Sequence, residues 1–343
     1  MEFKQLTSSE FNKFSYHSNE NSIFQSESWA RLKSNWTPYY LGVVENNEII
    51  AGCLILCRSV PFGFSFAYAP RGPILDVHNA KLLQFFLSNI KQFLKAKKVL
   101  LAKFDPNLVI GNFSFDEKDQ VPTAQNNNLI QKLEFVGLRH CGYTLLIKDT
   151  IQPRIQLVYP IETIFDERIP SKTLKKVRAS IKKGVVIKEE HDSKSLVAMV
   201  HCTEQRHQIK LRNQKYFDDI LAAFQDNACV LACYNEDTLL SACLLVKSKD
   251  TTEILYSGYD DTYKQFNSTY PLRYESIRWA KEHGCSEFSF GGVEGTLDDG
   301  LTMFKSSFNP LIHVFIGEFD LLPIPILSKI TQLLYPLLKK YMN

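Results

Sequence analysis

The eight cysteines of this 343-residue chain include no CxxC pair and no Cys/His array at the spacing of a zinc site, so a zinc module is disfavoured. Cys53 with Cys57, and Cys229 with Cys233, share strand faces at period two and read as small buried apolar residues. A reduced, cytosolic compartment is expected. Excess charge of one sign is also missing: 40 basic against 37 acidic side chains leave +3, too little to imply nucleic-acid binding without local clustering. Long apolar runs are absent too. The nearest candidate, LLPIPILSKITQLLYPLLKKYMN at residues 321–343, is cut by Lys and Pro and is not expected to cross a membrane. The opening MEFKQLTSSEFNKFSYHSNE has no charged start followed by an apolar run, so no signal peptide is expected. GxSxG, HExxH, GxxxxGK[ST] and GxGxxG do not occur, which takes away the usual marks of serine hydrolysis, zinc peptidase work, P-loop chemistry and dinucleotide binding.

What is present is a soluble globular composition, 45% apolar and 22% charged, on a chain longer than one core grows. Two domains are expected. YYLGVVENNEIIAGCLILC reads as a hairpin turning at Asn46-Asn47, and FSFAYA as a strand ended by Pro70-Arg71-Gly72-Pro73, a rigid turn that aims Arg71. A helix from Ala80 to Lys95 and a strand ending at Asp105 complete the unit. The pattern returns later: VLACYNEDTLLSACLLVK as hairpin, TEILYSGYD as strand, PLRYESIRWAKEH as helix and SEFSFGG as closing strand. These are two copies of one α/β (α+β) unit, and the cleft between them is the default ligand site. The strand order is that of acetyltransferase-like (GNAT) folds. Neither copy carries the Gly-rich basic loop that would hold a coenzyme A pyrophosphate, so an ordinary acetyl-CoA enzyme is disfavoured and no cofactor is expected.

Three stretches carry chemistry. At residues 287–308 a strand stops at Gly291-Gly292, an acidic Gly-punctuated loop follows, and Phe304-Lys305 returns one cation toward the strand end. A Lys beside a Phe is as readily a snorkelling surface residue. In PSKTLKKVRASIKKG, Leu174, Val177 and Ile181 share a helical face while Lys172, Lys175, Lys176, Arg178, Lys182 and Lys183 cover the rest, which is either a solvated surface or a match for a phosphate backbone. In FQSESWARLK, Ser26 is the expected N-cap of a short helix, with Trp29 and Lys33 on one face. The terminal stripe Ile330, Leu333, Leu334, Leu337, Leu338 and Tyr341, with Lys329, Lys339 and Lys340, either docks on a core or rests peripherally on the anionic inner membrane face.

FQSESWARLK, AYAPRGPILD, PSKTLKKVRASIKKG, LYSGYDD, FSFGGVEG and MFKSSF, in this order over nearly the whole chain, resemble the FemABX family of aminoacyl-tRNA-dependent peptidoglycan bridge-forming transferases. No long charged heptad insertion interrupts the second half, as in the short FemX type. The resemblance implies two tandem GNAT-like domains, residues 1–149 plus 317–343 and residues 150–316. It implies transfer of Ala, Ser or Gly from aminoacyl-tRNA to the side-chain amine of the stem-peptide Lys, on UDP-MurNAc-pentapeptide or lipid II. By position Lys33 and Arg212 match cations that hold the acceptor diphosphate, Tyr216 and Tyr256 match substrate-contacting tyrosines, Phe304 and Lys305 match the reaction-centre pair, and Asp105 matches a cleft carboxylate. Lys305 is expected to stabilise developing negative charge or anchor a carboxylate, the Phe304 carbonyl to orient the amine, and Asp105 to position peptide rather than act as base. The basic segment 172–183 is expected on the tRNA acceptor stem. The expected enzyme is a cytoplasmic monomer. The competing readings are a non-catalytic, immunity-type relative that binds cell-wall precursor, and a transferase of the same fold acting on another amine.

Overall fold

The computed structural model describes residues 1–123, 127–208 and 212–327. The chain begins β1 (Glu2–Gln5), α1 (Ser8–His17), α2 (Glu27–Leu32), β2 (Thr37–Glu45), β3 (Glu48–Val60), β4 (Phe64–Ala69), β5 (Ile74–Leu75), α3 (Ala80–Ala96) and β6 (Val99–Phe104). Four connecting elements follow: β7 (Val109–Ser114), α4 (Asn127–Phe135), β8 (Arg139–His140) and β9 (Ile155–Pro160). Then come α5 (Ser171–Lys182), β10 (Val185–Glu190), α6 (Lys194–His207), α7 (Gln214–Phe224), β11 (Ala228–Asn235), β12 (Thr238–Lys247), β13 (Thr251–Tyr259), α8 (Thr269–Glu282), β14 (Glu287–Gly292), α9 (Gly300–Ser306), β15 (Leu311–Phe315) and β16 (Phe319–Leu321).

The duplication is visible in the pairing. β1-β2-β3-β4 are antiparallel neighbours and β4 pairs parallel with β6; β10-β11-β12-β13 repeat this, with β13 parallel to β14. The first hairpin turns where Asn46 and Asn47 take φ of 51° and 66°, left-handed values that Asn tolerates and that match the twist of the flanking strands. Each sheet is completed by the other half of the sequence. β7 joins the second sheet by pairing with β15, and β16 inserts between β6 and β8 in the first.

The copies differ at one place that matters. β4 and β6 stay registered from Ser65↔Val99 to Ala69↔Phe104, whereas β13 and β14 pair only from Thr251↔Glu287 to Glu253↔Ser289. Beyond Glu253 the second sheet opens. A bulge where Leu244 and Leu245 face Tyr256 and Ile254 supplies the bend.

Each sheet packs one face on its own helix. Leu83, Phe86, Ile90 and Leu94 of α3 cover the first, and Leu272, Ile277 and Ala280 of α8 the second. The other faces share a third core, where Leu54 and Leu56 of β3 meet α1 and α2, Leu244 and Val246 of β12 meet α6 and α7, and the two sets join. Arg31 of α2 donates from Nη2 to the Ala223 carbonyl of α7 across this junction at 3.4 Å.

α5 is turned relative to the pattern its apolar residues suggest. Thr173, Val177 and Ser180 are buried, while Ile181 is 49% exposed. The Thr173 hydroxyl donates to the Ser307 carbonyl and the Ser180 hydroxyl to that of Phe266, and these bonds set the buried face.

A buried ion cluster closes the seam where β16 enters the first sheet. Lys103 Nζ lies 2.8 Å from Asp320 Oδ1 and 3.3 Å from Glu318 Oε2, and Arg139 reaches Asp320 Oδ2 at 2.7 Å. Burial pushes the Asp320 carboxyl up, but Lys103 and Arg139 outweigh it and hold it below the ordinary value. Its contribution to stability is therefore present above the unfolded carboxylate pKa and is lost as pH falls through the folded one. Lys103→Met leaves two buried carboxylates with one remaining cation and is expected to cost about 3–5 kcal/mol in urea denaturation at pH 7. The loss should shrink as the buffer is acidified.

Candidate active site

The turn after β4 is held from three sides. Gln25 donates from Nε2 to the Pro70 carbonyl at 2.7 Å and to that of Leu54 at 3.2 Å, and its Oε1 accepts from the Leu54 amide. A Cβ at Gly72 would fall 2.7 Å from that amide group, so any side chain there would push Gln25 out of these bonds. Arg71 sits at φ 51°, and its amide donates to Asp105 Oδ1 at 2.6 Å while the Tyr68 hydroxyl donates to Oδ2 at 2.8 Å. Asp105 is 2% exposed with both oxygens taken, and burial raises its carboxyl to about 7. The Arg71 guanidinium crosses to the second sheet, donating to the Pro153 carbonyl at 2.9 Å over the Phe315 ring at 4.0 Å.

Opposite stands the end of β14. Gly291 has φ 79°, and a Cβ on Gly292 would lie 2.3 Å from the Pro153 side chain. The glycine pair lets the strand end pass the residues that receive Arg71. Asp299 caps α9 by accepting from the Leu301 and Thr302 amides, and the helix returns Lys305 so that Nζ donates to the Gly292 carbonyl at 2.8 Å. Lys305 is 7% exposed, which removes the surface reading of this residue. Burial, then the nearby Arg273, pulls its ammonium down to about 8 against the pull of Glu294, Asp299 and Glu253. The Phe304 ring packs edge-on against Tyr270 at 5.1 Å, and its carbonyl accepts from the Ser307 hydroxyl at 2.7 Å.

Where β13 leaves β14, two charged residues flank the opening. Arg273 of α8, buried, donates from Nη2 to Ser257 Oγ at 2.9 Å, and its Nη1 has no hydrogen-bond partner among the described residues. Glu253 accepts from Gln156 Nε2 at 3.0 Å, and burial raises its carboxyl to about 7 against the influence of Arg71, Gln156 and Lys305.

Farther along β13, Tyr256 meets Tyr216 of α7 with ring centroids 6.1 Å apart, and burial followed by Tyr256 pushes the Tyr216 phenol up. The Arg212 guanidinium lies 5.2 Å from the Tyr216 ring centroid. Lys33, the C-cap of α2, stands 4.6 Å from the Trp29 ring centroid and is brought down to about 8 by burial and then by the charge of Arg212. Among the described residues no carboxylate pairs with Lys33. Two cations from opposite halves of the chain thus share one place, an arrangement suited to an anion carrying more than one charge.

The comparisons bear on what such a site is for. The FemAB family profile matches residues 6–239 and 230–336. The chain belongs to the FemAB family. A relative from Weissella viridescens named UDP-N-acetylmuramoylpentapeptide-lysine N(6)-alanyltransferase is 26% identical over 323 residues, covering 90% of this chain and 92% of that one. The lipid II:glycine glycyltransferase of Staphylococcus epidermidis is 24% identical over 397 aligned positions, covering 93% and 92%. Among solved structures FemX superposes with a TM-score of 0.83 at 22% identity over 96% of this chain and 100% of that one, and a tandem GNAT protein from the clavulanic acid pathway with 0.55 at 6% identity over 94% and 98%. The two-unit GNAT-like fold is thereby established.

Within this FemAB chain, the residues singled out from sequence fall into three groups. Lys33, Arg212, Tyr216 and Tyr256 form one cluster, Lys305 and Phe304 line the opening of the second sheet, and Asp105 lies under the turn that carries Arg71. The basic helix is adjacent to the second group, since Thr173 is bonded to Ser307, two residues past Lys305. Its Lys172, Lys175, Arg178, Lys182 and Lys183 are exposed, whereas Lys176 donates to the Tyr270 hydroxyl at 2.6 Å and Lys183 also reaches the Gln265 carbonyl. The terminal stripe at residues 329–341 lies outside the described residues. Gln25, Gln156, Glu253 and Arg273 escaped the sequence reading. Only the Pro-Arg-Gly-Pro turn announced Arg71; the other four carry no local motif and become visible only through their tertiary contacts.

Proposed function

We propose that this protein is an aminoacyltransferase that moves Ala, Ser or Gly from charged tRNA to the side-chain amine of the stem-peptide Lys of UDP-MurNAc-pentapeptide or lipid II, building peptidoglycan bridges. The observation that carries the reading is Lys305, a buried cation bonded to a carbonyl at the opening between β13 and β14, with the Lys33 and Arg212 cluster elsewhere along the same strand. The ester is already activated, so the enzyme has to orient an amine, shed its proton and stabilise an oxyanion; no covalent nucleophile is needed.

In this reading Lys33 and Arg212 hold the acceptor diphosphate, Tyr216 and Tyr256 contact the acceptor, and Lys305 stabilises the tetrahedral oxygen. The Phe304 carbonyl orients the amine once the Ser307 hydroxyl turns away, and Asp105 keeps the cleft in shape through Arg71. Residues 1–149 with 317–343 and residues 150–316 act as the two lobes, apart from the strand exchange of β7. The enzyme works as a monomer on the cytoplasmic side. Among the described residues no helix is long and apolar enough to span a membrane.

The test is transfer of radiolabelled Ala, Ser and Gly from charged tRNA to each acceptor. Transfer to either supports the reading, and no transfer to both by the folded protein sinks it. The tRNA contact has its own check. Lys172→Glu with Arg178→Glu is expected to raise KM for charged tRNA at least tenfold and to lower its salt slope by about 2, with KM for the acceptor unchanged.

A further inference from the structure

Glu253 is the last residue of β13 registered against β14, so its side chain stands at the point where the second sheet opens. One oxygen is committed: Oε1 accepts from Gln156 Nε2, and Gln156 Oε1 accepts in turn from Ser289 Oγ at 3.4 Å. Oε2 has no hydrogen-bond partner among the described residues, and the side chain is partly exposed. The charged groups acting on Glu253 are Arg71, from the turn after β4, and Lys305, from α9; both are cations. The contrast with Asp105 decides between the two carboxylates. Both Asp105 oxygens are engaged, one by the Tyr68 hydroxyl and the other by the Arg71 amide, and the side chain is sealed from solvent. A group that must accept and return a proton needs an oxygen free of protein partners and open to the site, and Glu253 Oε2 has no partner among the described residues and belongs to a partly exposed residue.

We propose that Glu253 takes the proton from the attacking amine and returns it to the leaving ribose oxygen. The inference rests on the aminoacyl-transfer reading above. The amine, having given its extra proton to water, forms a C–N bond to the ester carbonyl carbon. The adduct nitrogen then passes one proton to Glu253 Oε2, the C–O bond to the ribose breaks, and the ribose oxygen leaves with that proton, restoring the carboxylate. Burial of Glu253 brings its pKa close to neutrality, where a carboxylate exchanges protons in both directions without a large penalty.

The experiment compares wild type, Glu253→Gln and Glu253→Asp as full-length protein, with charged tRNA as donor and UDP-MurNAc-pentapeptide and lipid II as acceptors. The wild-type kcat profile should fall on the acid side of about pH 7. Glu253→Gln should lose about 10²–10³-fold in kcat with acceptor KM within threefold, and the inflection near pH 7 should vanish, leaving only the slope set by deprotonation of the acceptor amine. Glu253→Asp should keep part of kcat with the inflection in place, which also guards against a folding defect in the first variant. Glu253→Gln with kcat within threefold of wild type, or with a reduced kcat whose profile still bends near pH 7, overturns the role of Glu253 while leaving the transfer reading intact. Absence of transfer by wild type overturns both.

Discussion

Lys305→Met should lower kcat by at least about 10²–10³-fold, the scale seen when a single donor to a developing oxyanion is removed from a preorganised site. Acceptor binding should be little changed, because the diphosphate cluster is built from other elements. The same variant should be more stable than wild type. In the folded chain burial and Arg273 draw the ammonium from its ordinary value to about 8, so folding disfavours the charged form. A group whose folded pKa lies below its unfolded one costs stability while it is protonated, and the cost fades as pH rises from about 8 to above 10. Removing it at pH 7 returns up to about 3 kcal/mol, less the bond to the Gly292 carbonyl. Inactivity together with a raised melting temperature is the signature of strain kept for function. If the protonated form carries the charge, wild-type kcat should also decline above about pH 8, and Lys305→Arg should remove that alkaline limb while restoring part of the rate. A Lys305→Met enzyme with wild-type kcat would remove this residue from the reaction.

Lys33→Ala and Arg212→Ala should each weaken the acceptor by about 10–100-fold in KM, since a charge-assisted hydrogen bond is worth about 1.5–3 kcal/mol and each 1.4 kcal/mol is tenfold. The double variant should lose less than the product, because the two cations repel in the free protein and each truncation relieves the other. An acceptor peptide without the diphosphate should be used equally by all four proteins. The depressed Lys33 adds a thermodynamic readout. At pH 8 about half the Lys33 side chains are neutral, and a bound anion raises their pKa, so binding should take up about half a proton. Calorimetry in buffers of different ionisation enthalpy measures this directly, and Lys33→Ala should abolish it. Unchanged KM in both single variants would favour a transferase whose substrate carries no diphosphate.

The fold was legible because its signals are local and repeated. Asn46-Asn47 can hold the positive φ of a tight hairpin, Ser26 can accept from the Trp29 amide, and the apolar spacing of residues 80–95 admits one helix face. Two copies of the same order then imply two similar sheets. The joining of β7 to the second sheet was not legible in the same way, since a short strand does not state which edge it will pair with, whereas the return of the chain's last segment to the first unit was expected from the family resemblance. In α5 the apolar count suggested Leu174, Val177 and Ile181 as the buried face. Two hydroxyls bonded to carbonyls outweighed one isoleucine, which an exposed helix tolerates at little cost.

The sequence by itself determined the duplicated unit and the family, and through the family resemblance it named Lys33, Arg212, Tyr216, Tyr256 and the Phe304-Lys305 pair as the candidate site residues. Those are properties of order and spacing along the chain. Tertiary structure alone decided that β13 parts from β14 after Glu253 while β4 stays paired with β6, so only one of two similar units is open. It also decided that Lys305 is buried rather than snorkelling, and which carboxylate keeps a free oxygen. The reason is physical: an ionisable group takes its protonation and reach from the charges and solvent around it, and those come from residues far away in sequence.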